Sequence, residues 1–257
     1  RINGNDFYKA LTSGITNIIS RHEHLNKINV FPVPDGDTGT NLLFTLRPIL
    51  QIDDIDPHFG KTLSKIANTA IDSARGNSGT IMAQYFIGML ENAENLDTLN
   101  LENISTIFAD GFNAASSAMS EPKEGTIVTV MRDVSNALDA KNYKEQNILN
   151  VFKDIHDVAK KSLENTPELM KLLKDAGVVD AGAEGYVNMI EGMLYYIENG
   201  KIMNEDIIAN LKVEESTPMN NIEEYENSEF QFCTECIVEG NNISRKDLKE
   251  KLSSLGD

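Results

Sequence analysis

From Phe7 onward the apolar residues recur as Phe7, Leu11, Ile15, Ile18 and Ile19, a three-to-four spacing that gathers them on one face of a helix. The same period returns over Thr40 to Leu50, Gly60 to Asp72, Ser78 to Ala93, Glu102 to Met119, Thr126 to Lys141, Gln146 to Glu164, Pro167 to Ala176 and Ala183 to Asn199. It predicts about nine helices joined by short loops, hence an all-α domain over residues 1–200. Asn165-Thr166-Pro167 sets a cap residue before a proline at the first helical position, and Gly200 follows the last apolar turn as a C-terminal cap does. Met82, Met89, Met119 and Met131 fall at helix-core spacing and read as packing.

Beyond that domain the pattern changes. Residues 201–227 turn polar and acidic and read as a linker. Only Glu229 to Glu239 alternates as a strand does, and SRKDLKEKLSSLGD after it predicts a helix, so residues 228–257 read as the start of an α+β domain. About 30 residues are too few to bury a core, and the chain reads as a truncated piece of a longer protein.

The charge narrows the partners. Lys plus Arg total 23 against 40 Asp plus Glu, a net −17 that repels a nucleic-acid backbone. An anionic substrate must then be met by a local device, metal ions or a nest of backbone amides. No apolar run approaches the roughly 20 residues of a membrane span, and RINGNDFYKA lacks a signal-peptide pattern. The expectation is a cytoplasmic protein that does not span a membrane, with Cys233 and Cys236 as reduced thiols. Cys233-Thr234-Glu235-Cys236 is half a zinc site or a purely structural pair.

The segment NVFPVPDGDTGTN, Asn29 to Asn41, carries the strongest chemistry. Asp35, Gly36, Asp37, Thr38, Gly39, Thr40 and Asn41 crowd two carboxylates, two hydroxyls, a carboxamide and two glycines ahead of an apolar helix. Adjacent carboxylates repel one another unless a hard divalent cation sits between them. Glycines and a helix start supply close backbone approach and unpaired amides for phosphate. An EF-hand counted from Asp35 fails at Gly39, Thr40 and Leu46. A plain capping turn explains Asp37 or Thr38 but not the second aspartate, the second glycine and Asn41.

Ala74 to Thr80, with Arg75, Gly76, Asn77, Ser78 and Gly79, is a second glycine-bracketed turn opening a helix, either a phosphate cradle or a serine-capped loop. Arg75 offers a positive charge beside a transferred phosphoryl group or an ordinary surface salt bridge. Gly125-Thr126 is a third glycine-hydroxyl helix start, and Gly177, Asp180, Gly182 and Gly185 break the pattern between two helices. Gly60-Lys61-Thr62 is not a Walker loop, because Ile55 stands where its first glycine belongs. His22, His24, His58 and His156 have no metal-triad spacing and read as solvated.

Taken together, NVFPVPDGDTGTN, ARGNSG, EPKEGTIVTV, ENTPELMKLLKDAGVVDAGAEG and FCTE lie in one order that resembles the dihydroxyacetone kinase L-type domain, in the form found in bacterial fatty acid kinases. The resemblance implies an antiparallel barrel of about eight helices, with ATP and a pair of magnesium ions at one end. It implies Asp35 and Asp37 as magnesium ligands, with Asn29, a neutral oxygen ligand, as the candidate for the third contact that an upstream aspartate makes in dihydroxyacetone kinases. Thr38, Gly39, Thr40 and Asn41 would hold phosphate or the metal's surroundings, as would Gly76, Asn77, Ser78 and Gly79. Thr126, Asp180 and Gly182 would lie near the nucleotide, and Arg75 with the two aspartates would serve catalysis. The implied acceptor is a fatty acid carried by a DegV-like fatty-acid-binding protein, and a homodimer through further residues of the longer protein is compatible with it. A carboxylate acceptor needs no general base, which suits the lack of a histidine near the motifs. A dihydroxyacetone kinase nucleotide subunit and a non-catalytic ATP-sensing module are the alternatives.

Overall fold

A computed structural model describes residues 1–141, 143 and 146–209. The chain divides into Arg1–Ser216 and Thr217–Asp257. The predicted strand Glu229 to Glu239, the helix after it and Cys233 with Cys236 lie outside the described residues.

The first unit is all-α. In chain order its helices are α1 Gly4–Ser20, α2 His22–Lys27, α3 Thr38–Leu46, α4 Phe59–Asp72, α5 Gly76–Glu91, α6 Ile104–Ala118, α7 Ile127–Ala140, α8 Ile148–Glu164, α9 Thr166–Leu169, α10 Lys171–Ala176 and α11 Ala181–Asn199. Two-residue strands β1 Ile2–Asn3 and β2 Thr98–Leu99 pair antiparallel, a feature too short for periodicity to register. The helix expected over Thr40 to Leu50 stops at Leu46 and continues as a 3-10 turn over Arg47–Gln51, where Pro48 removes an amide donor. The one expected over Pro167 to Ala176 breaks at Met170 into α9 and α10.

The helices close a ring. Each of α4, α5, α6, α7 and α8 packs on the next, α8 packs on α11, α11 on α1, and α1 on α4, with α3 set against α5, α1 and α11 at one end. This is the antiparallel barrel of about eight helices that the resemblance implies. Its filling comes from the predicted stripe: Phe7, Leu11, Ile15 and Ile18 are at most 1% exposed. Phe7 and Phe59 meet edge to face with ring centroids 4.9 Å apart, and Tyr85 and Tyr186 join hydroxyls at 2.9 Å across the core. Burial raises the pKa of both tyrosines.

Two glycine contacts set the barrel's pitch. A Cβ on Gly14 of α1 would lie 2.6 Å from Met189 O, and one on Gly192 of α11 would lie 2.3 Å from Ser13 O, so α1 and α11 approach to backbone contact. The stretch read as a linker begins as a strap along α1: Met203 N–H donates to Ser13 Oγ at 3.0 Å, and Asn204 Nδ2 to Ser20 Oγ at 3.2 Å. Gly200 ends α11 in the left-handed conformation at φ 66°, as its position after the last apolar turn predicts.

Gly60-Lys61-Thr62 lies within α4, beside the start of α1, where Gly4 N–H donates to Pro57 O and Thr62 Oγ1 to Asp56 O. It is a helix start and not a phosphate loop. Three of the four histidines are half-buried instead of fully solvated, and His58 Nδ1 accepts from Lys61 N–H as the cap of α4.

Candidate functional site

The opposite end of the barrel, where α1 stops, is where α3, α5, α7 and α11 start. Each helix start concentrates unpaired amides and about half a unit of positive charge. The four starts open on one cavity of about 260 Å³, whose polar wall is Thr38, Asn77, Ser78, Thr126, Asp180 and Gly182. Its apolar wall includes Phe31, Pro32, Ile81, Met119, Pro122 and Ile127. Residues from all four glycine-marked segments, separated by up to 144 positions between Thr38 and Gly182, thus share one wall. Met119, expected as core, also faces this cavity.

The acidic loop is built by neighbours that its own sequence does not name. Asn26 at the end of α2 caps α3: its Oδ1 accepts Thr40 N–H at 3.0 Å and its Nδ2 donates to Thr40 Oγ1 at 2.9 Å. Asn29 is buried, and its amide donates to Asp35 Oδ1 at 3.1 Å and to Val33 O at 2.8 Å. Its carbonyl oxygen accepts from Thr38 Oγ1. In this arrangement Asn29 braces the loop from inside. Gly36 turns the loop at φ 68°, a conformation that costs any other residue strain.

Asp35 is exposed and Asp37 half-buried beside it. Burial, and then the charge of Asp35, raise the pKa of Asp37, against a hydrogen bond with Asn41 that lowers it. Among the described residues no group of three or more His, Cys, Asp or Glu is arranged for a metal. A pair of carboxylates is nevertheless the usual protein share of a magnesium site whose other ligands are phosphate oxygens and water.

α3 also fixes the start of α5. Thr45, fully buried, accepts Arg75 N–H at 3.1 Å and donates to Asn41 O at 2.7 Å. Gly76 adopts φ 59°, and a Cβ there would lie 2.2 Å from Asn41 Nδ2. Gly39 and Gly79 are required by helix contacts, against His22 O and Thr45 Oγ1 respectively. The Arg75 guanidinium is exposed and lies over the Phe44 ring, 4.4 Å from its centroid. Ser78 Oγ in the first turn of α5 is buried without a hydrogen-bond partner, on the cavity wall. An unpaired buried hydroxyl costs about 1–3 kcal/mol, and an oxygen-rich ligand in the cavity would satisfy it.

On the far wall Thr126 Oγ1 donates to Lys123 O at 2.7 Å, and Glu124 is held by Arg132 and Thr129. Lys123 pairs with Glu121 at 2.8 Å on the lip. Asp180 caps α11 by accepting Ala183 N–H at 2.8 Å, and burial raises its pKa to about 6. Asn26, Phe44 and Thr45 carry no motif signal, and Lys123 lies inside the EPKEGTIVTV block, where nothing singles it out. Only the position of Asn26 three residues before Asn29 hinted that it belongs to the same loop.

A family model described as the DAK2 domain matches residues 32–195, the span from the acidic loop to the last barrel helix. The chain belongs to the DAK2 domain family. This DAK2 chain is 31% identical over 268 residues to Protein YloV of Bacillus subtilis (strain 168), covering 100% of this chain and 48% of the relative. It is equally 31% identical over 269 residues to the uncharacterized protein SAB1090 of Staphylococcus aureus (strain bovine RF122 / ET3-1), with the same coverage. It therefore spans about half the length of the curated relatives it matches. Among solved structures, the dihydroxyacetone kinase of C. freundii in its native form matches with a TM-score of 0.56 at 16% identity, over 76% of this chain and 35% of the other. The same kinase in complex with AMP-PNP and Mg2+ matches with a TM-score of 0.57 at 17% identity, over 76% and 34%. These likenesses show a shared DAK2 barrel. Among the described residues no helix is long and apolar enough to cross a membrane.

Proposed function

We propose that this domain is the ATP- and magnesium-binding part of a cytoplasmic phosphotransferase, and that it passes the γ-phosphate to the carboxylate of a fatty acid presented by a DegV-like fatty-acid-binding protein, forming an acyl phosphate. The observation that carries the nucleotide part is the convergence of four helix starts and the unpartnered Ser78 hydroxyl around one cavity, with the loop of Asp35 and Asp37 leading directly into one of those starts at Thr38. The C. freundii kinase whose fold this chain shares was solved with AMP-PNP and Mg2+, which supports the same ligands here.

Asp35 and Asp37 would hold magnesium, which when bound would supply positive charge against the phosphates. Asn29 keeps Asp35 aimed while the backbone amides of Thr38, Asn77 and Ser78 and the free Ser78 hydroxyl orient the phosphates. Gly39 and Thr40 seat the start of α3 on α2, while Asn41, Gly76 and Gly79 keep α3 and α5 close enough for both helix starts to face one ligand. Arg75, stacked on Phe44, keeps a fixed positive charge next to the start of α5. The apolar wall with Thr126, Asp180 and Gly182 suits the nucleoside.

No histidine lines the cavity among the described residues. An ionised carboxylate acceptor attacks without losing a proton, so a fatty acid would need no general base from this wall. The match to YloV runs over the whole of this chain, past the 76% shared with dihydroxyacetone kinase, which supports a reading other than a dihydroxyacetone kinase subunit. A dihydroxyacetone kinase subunit is the second reading, favoured by the shared barrel. ATP turnover by the full-length protein, with fatty-acid-loaded carrier in one arm and dihydroxyacetone in the other, separates the two. Turnover with the sugar alone removes the fatty acid reading, and ATP binding without turnover in either arm leaves a sensing module.

A further inference from the structure

Asn41, Phe44 and Thr45 stand at positions i, i+3 and i+4 of α3 and so share one of its faces. The start of α5 lies on that face. Thr45 Oγ1 accepts Arg75 N–H at 3.1 Å, and a Cβ on Gly76 would lie 2.2 Å from Asn41 Nδ2, so the backbone of Arg75 and Gly76 is pinned. The Arg75 side chain is not. It is exposed, its guanidinium carbon lies 4.4 Å from the centre of the half-buried Phe44 ring, and it enters no ion pair among the described residues. Arg21 and Arg132, by contrast, pair with Glu191 and Glu124. The donor edge of the Arg75 guanidinium is therefore uncommitted.

The cavity beside it has a use for that edge. Asn77 and Ser78 line the cavity and Arg75 does not. The hydroxyl of Ser78, a residue 9% exposed, has no partner, and no side chain caps α5. An oxyanion seated on these groups would meet the Arg75 backbone three residues back from Ser78, about 4.5 Å along the helix axis and within the span of an arginine side chain. We propose that Phe44 is a positioning residue that parks the Arg75 guanidinium beside the cavity and yields it to an oxyanion arriving at the start of α5. The nucleotide as the source of that oxyanion rests on the function proposed above, whereas the parking is a property of the chain alone.

A weak hold suits this use. Stacking on the ring occupies the π face of the guanidinium and leaves its N–H donors open, so leaving the ring breaks no hydrogen bond. A bidentate contact with a phosphate oxygen pair is charge-assisted and stronger, and it takes the side chain when the anion is present. The charge of Arg75 is permanent, and its place is not. Thr45 and Asn41 keep the backbone at the start of α5 still while the side chain moves.

The test uses the whole chain and inorganic pyrophosphate without magnesium, at a mildly acidic pH that slows exchange of the arginine Hε proton. NMR follows the Arg75 Nε–Hε signal, assigned by its loss in Arg75→Lys. In the free wild type the Phe44 ring should shift this signal from its ordinary position, and pyrophosphate should return it there as the Ser78 and Gly79 amides move. In Phe44→Leu the signal should start at the ordinary position. Pyrophosphate should then bind about two- to fivefold more tightly, the factor that about 0.5–1 kcal/mol of lost stacking gives at about 1.4 kcal/mol per tenfold. Phe44→Trp, whose ring holds a cation more strongly, should bind it more weakly. A signal still ring-shifted at saturation, equal or weaker binding by Phe44→Leu, or no response of Arg75 and Ser78 to pyrophosphate overturns the proposal. If Phe44→Leu does not fold, the wild type and Phe44→Trp decide. A parallel titration with magnesium and ATP reports on the nucleotide separately, since its failure beside an intact pyrophosphate response removes the function proposed above and leaves the parking in place.

Discussion

The side-chain amide of Asn29 donates to Asp35 Oδ1 at 3.1 Å, so the residue expected to give the loop a third, neutral ligand is bonded to the loop's first aspartate. A neutral donor there lowers the repulsion that two nearby carboxylates otherwise suffer, and it ties the loop's shape to one buried side chain.

Asn29→Asp exchanges that donor for a third carboxylate. In metal-free buffer it should lower stability by about 1–3 kcal/mol, through a lost hydrogen bond and added like-charge repulsion. Magnesium should return more of that loss than it adds to the wild type. Thermal unfolding with and without magnesium measures this, and a loss that the ion leaves untouched counts against a metal at this loop.

Asp37→Asn removes one negative charge from a pair whose proximity, together with burial, raises the Asp37 pKa. The folded state of the wild type therefore carries the ionised form at a cost, and the metal-free variant should be no less stable than the wild type. Magnesium-dependent ATP binding should be lost. Calorimetry on the folded variant checks both, and unchanged ATP affinity removes Asp37 from the metal site.

Asp180 gives a pH dependence with a definite sign. Its folded pKa of about 6 lies above the ordinary value of 3.8, so the folded state holds this proton more tightly than the unfolded chain. Stability from this group is full below pH 3.8 and is lost as pH rises through 6, by about 3 kcal/mol for a group so buried. Asp180→Asn should lack this component. Asp56, held low by the backbone N–H of His58, Glu121 by Lys123 and Glu124 by Arg132 act in the opposite sense in both proteins and cancel in the difference. Urea unfolding of both proteins at pH 4 and pH 7 gives the number, and equal slopes contradict it.

Gly76→Ala places a Cβ at a left-handed residue, 2.2 Å from Asn41 Nδ2. The conformation alone costs about 1–2 kcal/mol. The clash should also push the start of α5 away from α3, so ATP affinity should fall by more than the stability loss accounts for. Gly177→Ala, left-handed at φ 68° with open space around it, is the control that carries the strain without the clash.

The barrel was legible because each of its long helices has a solvent side and a core side, and a period of 3.6 records that division locally. The stripe from Phe7 to Ile19 and the αL glycine at 200 appear in the structure where the pattern put them. The short elements were not legible: α2 has six residues and buries only Leu25, which is no period at all. The loop Asn29 to Asn41 announced itself through chemistry that is costly without a partner, two carboxylates among two glycines and two hydroxyls.

The sequence by itself determined an all-α chain, the acidic loop and the separate glycine-hydroxyl helix starts, because propensity, capping and charge repulsion act within a few residues. Only the tertiary structure decided that four of those starts share one cavity, that Asn26 caps α3, that Thr45 holds the start of α5, and that Asp180, the cap of α11, is buried on the cavity wall. Those relationships join residues up to 144 positions apart through the closing of a ring, and no local pattern encodes which helix ends meet.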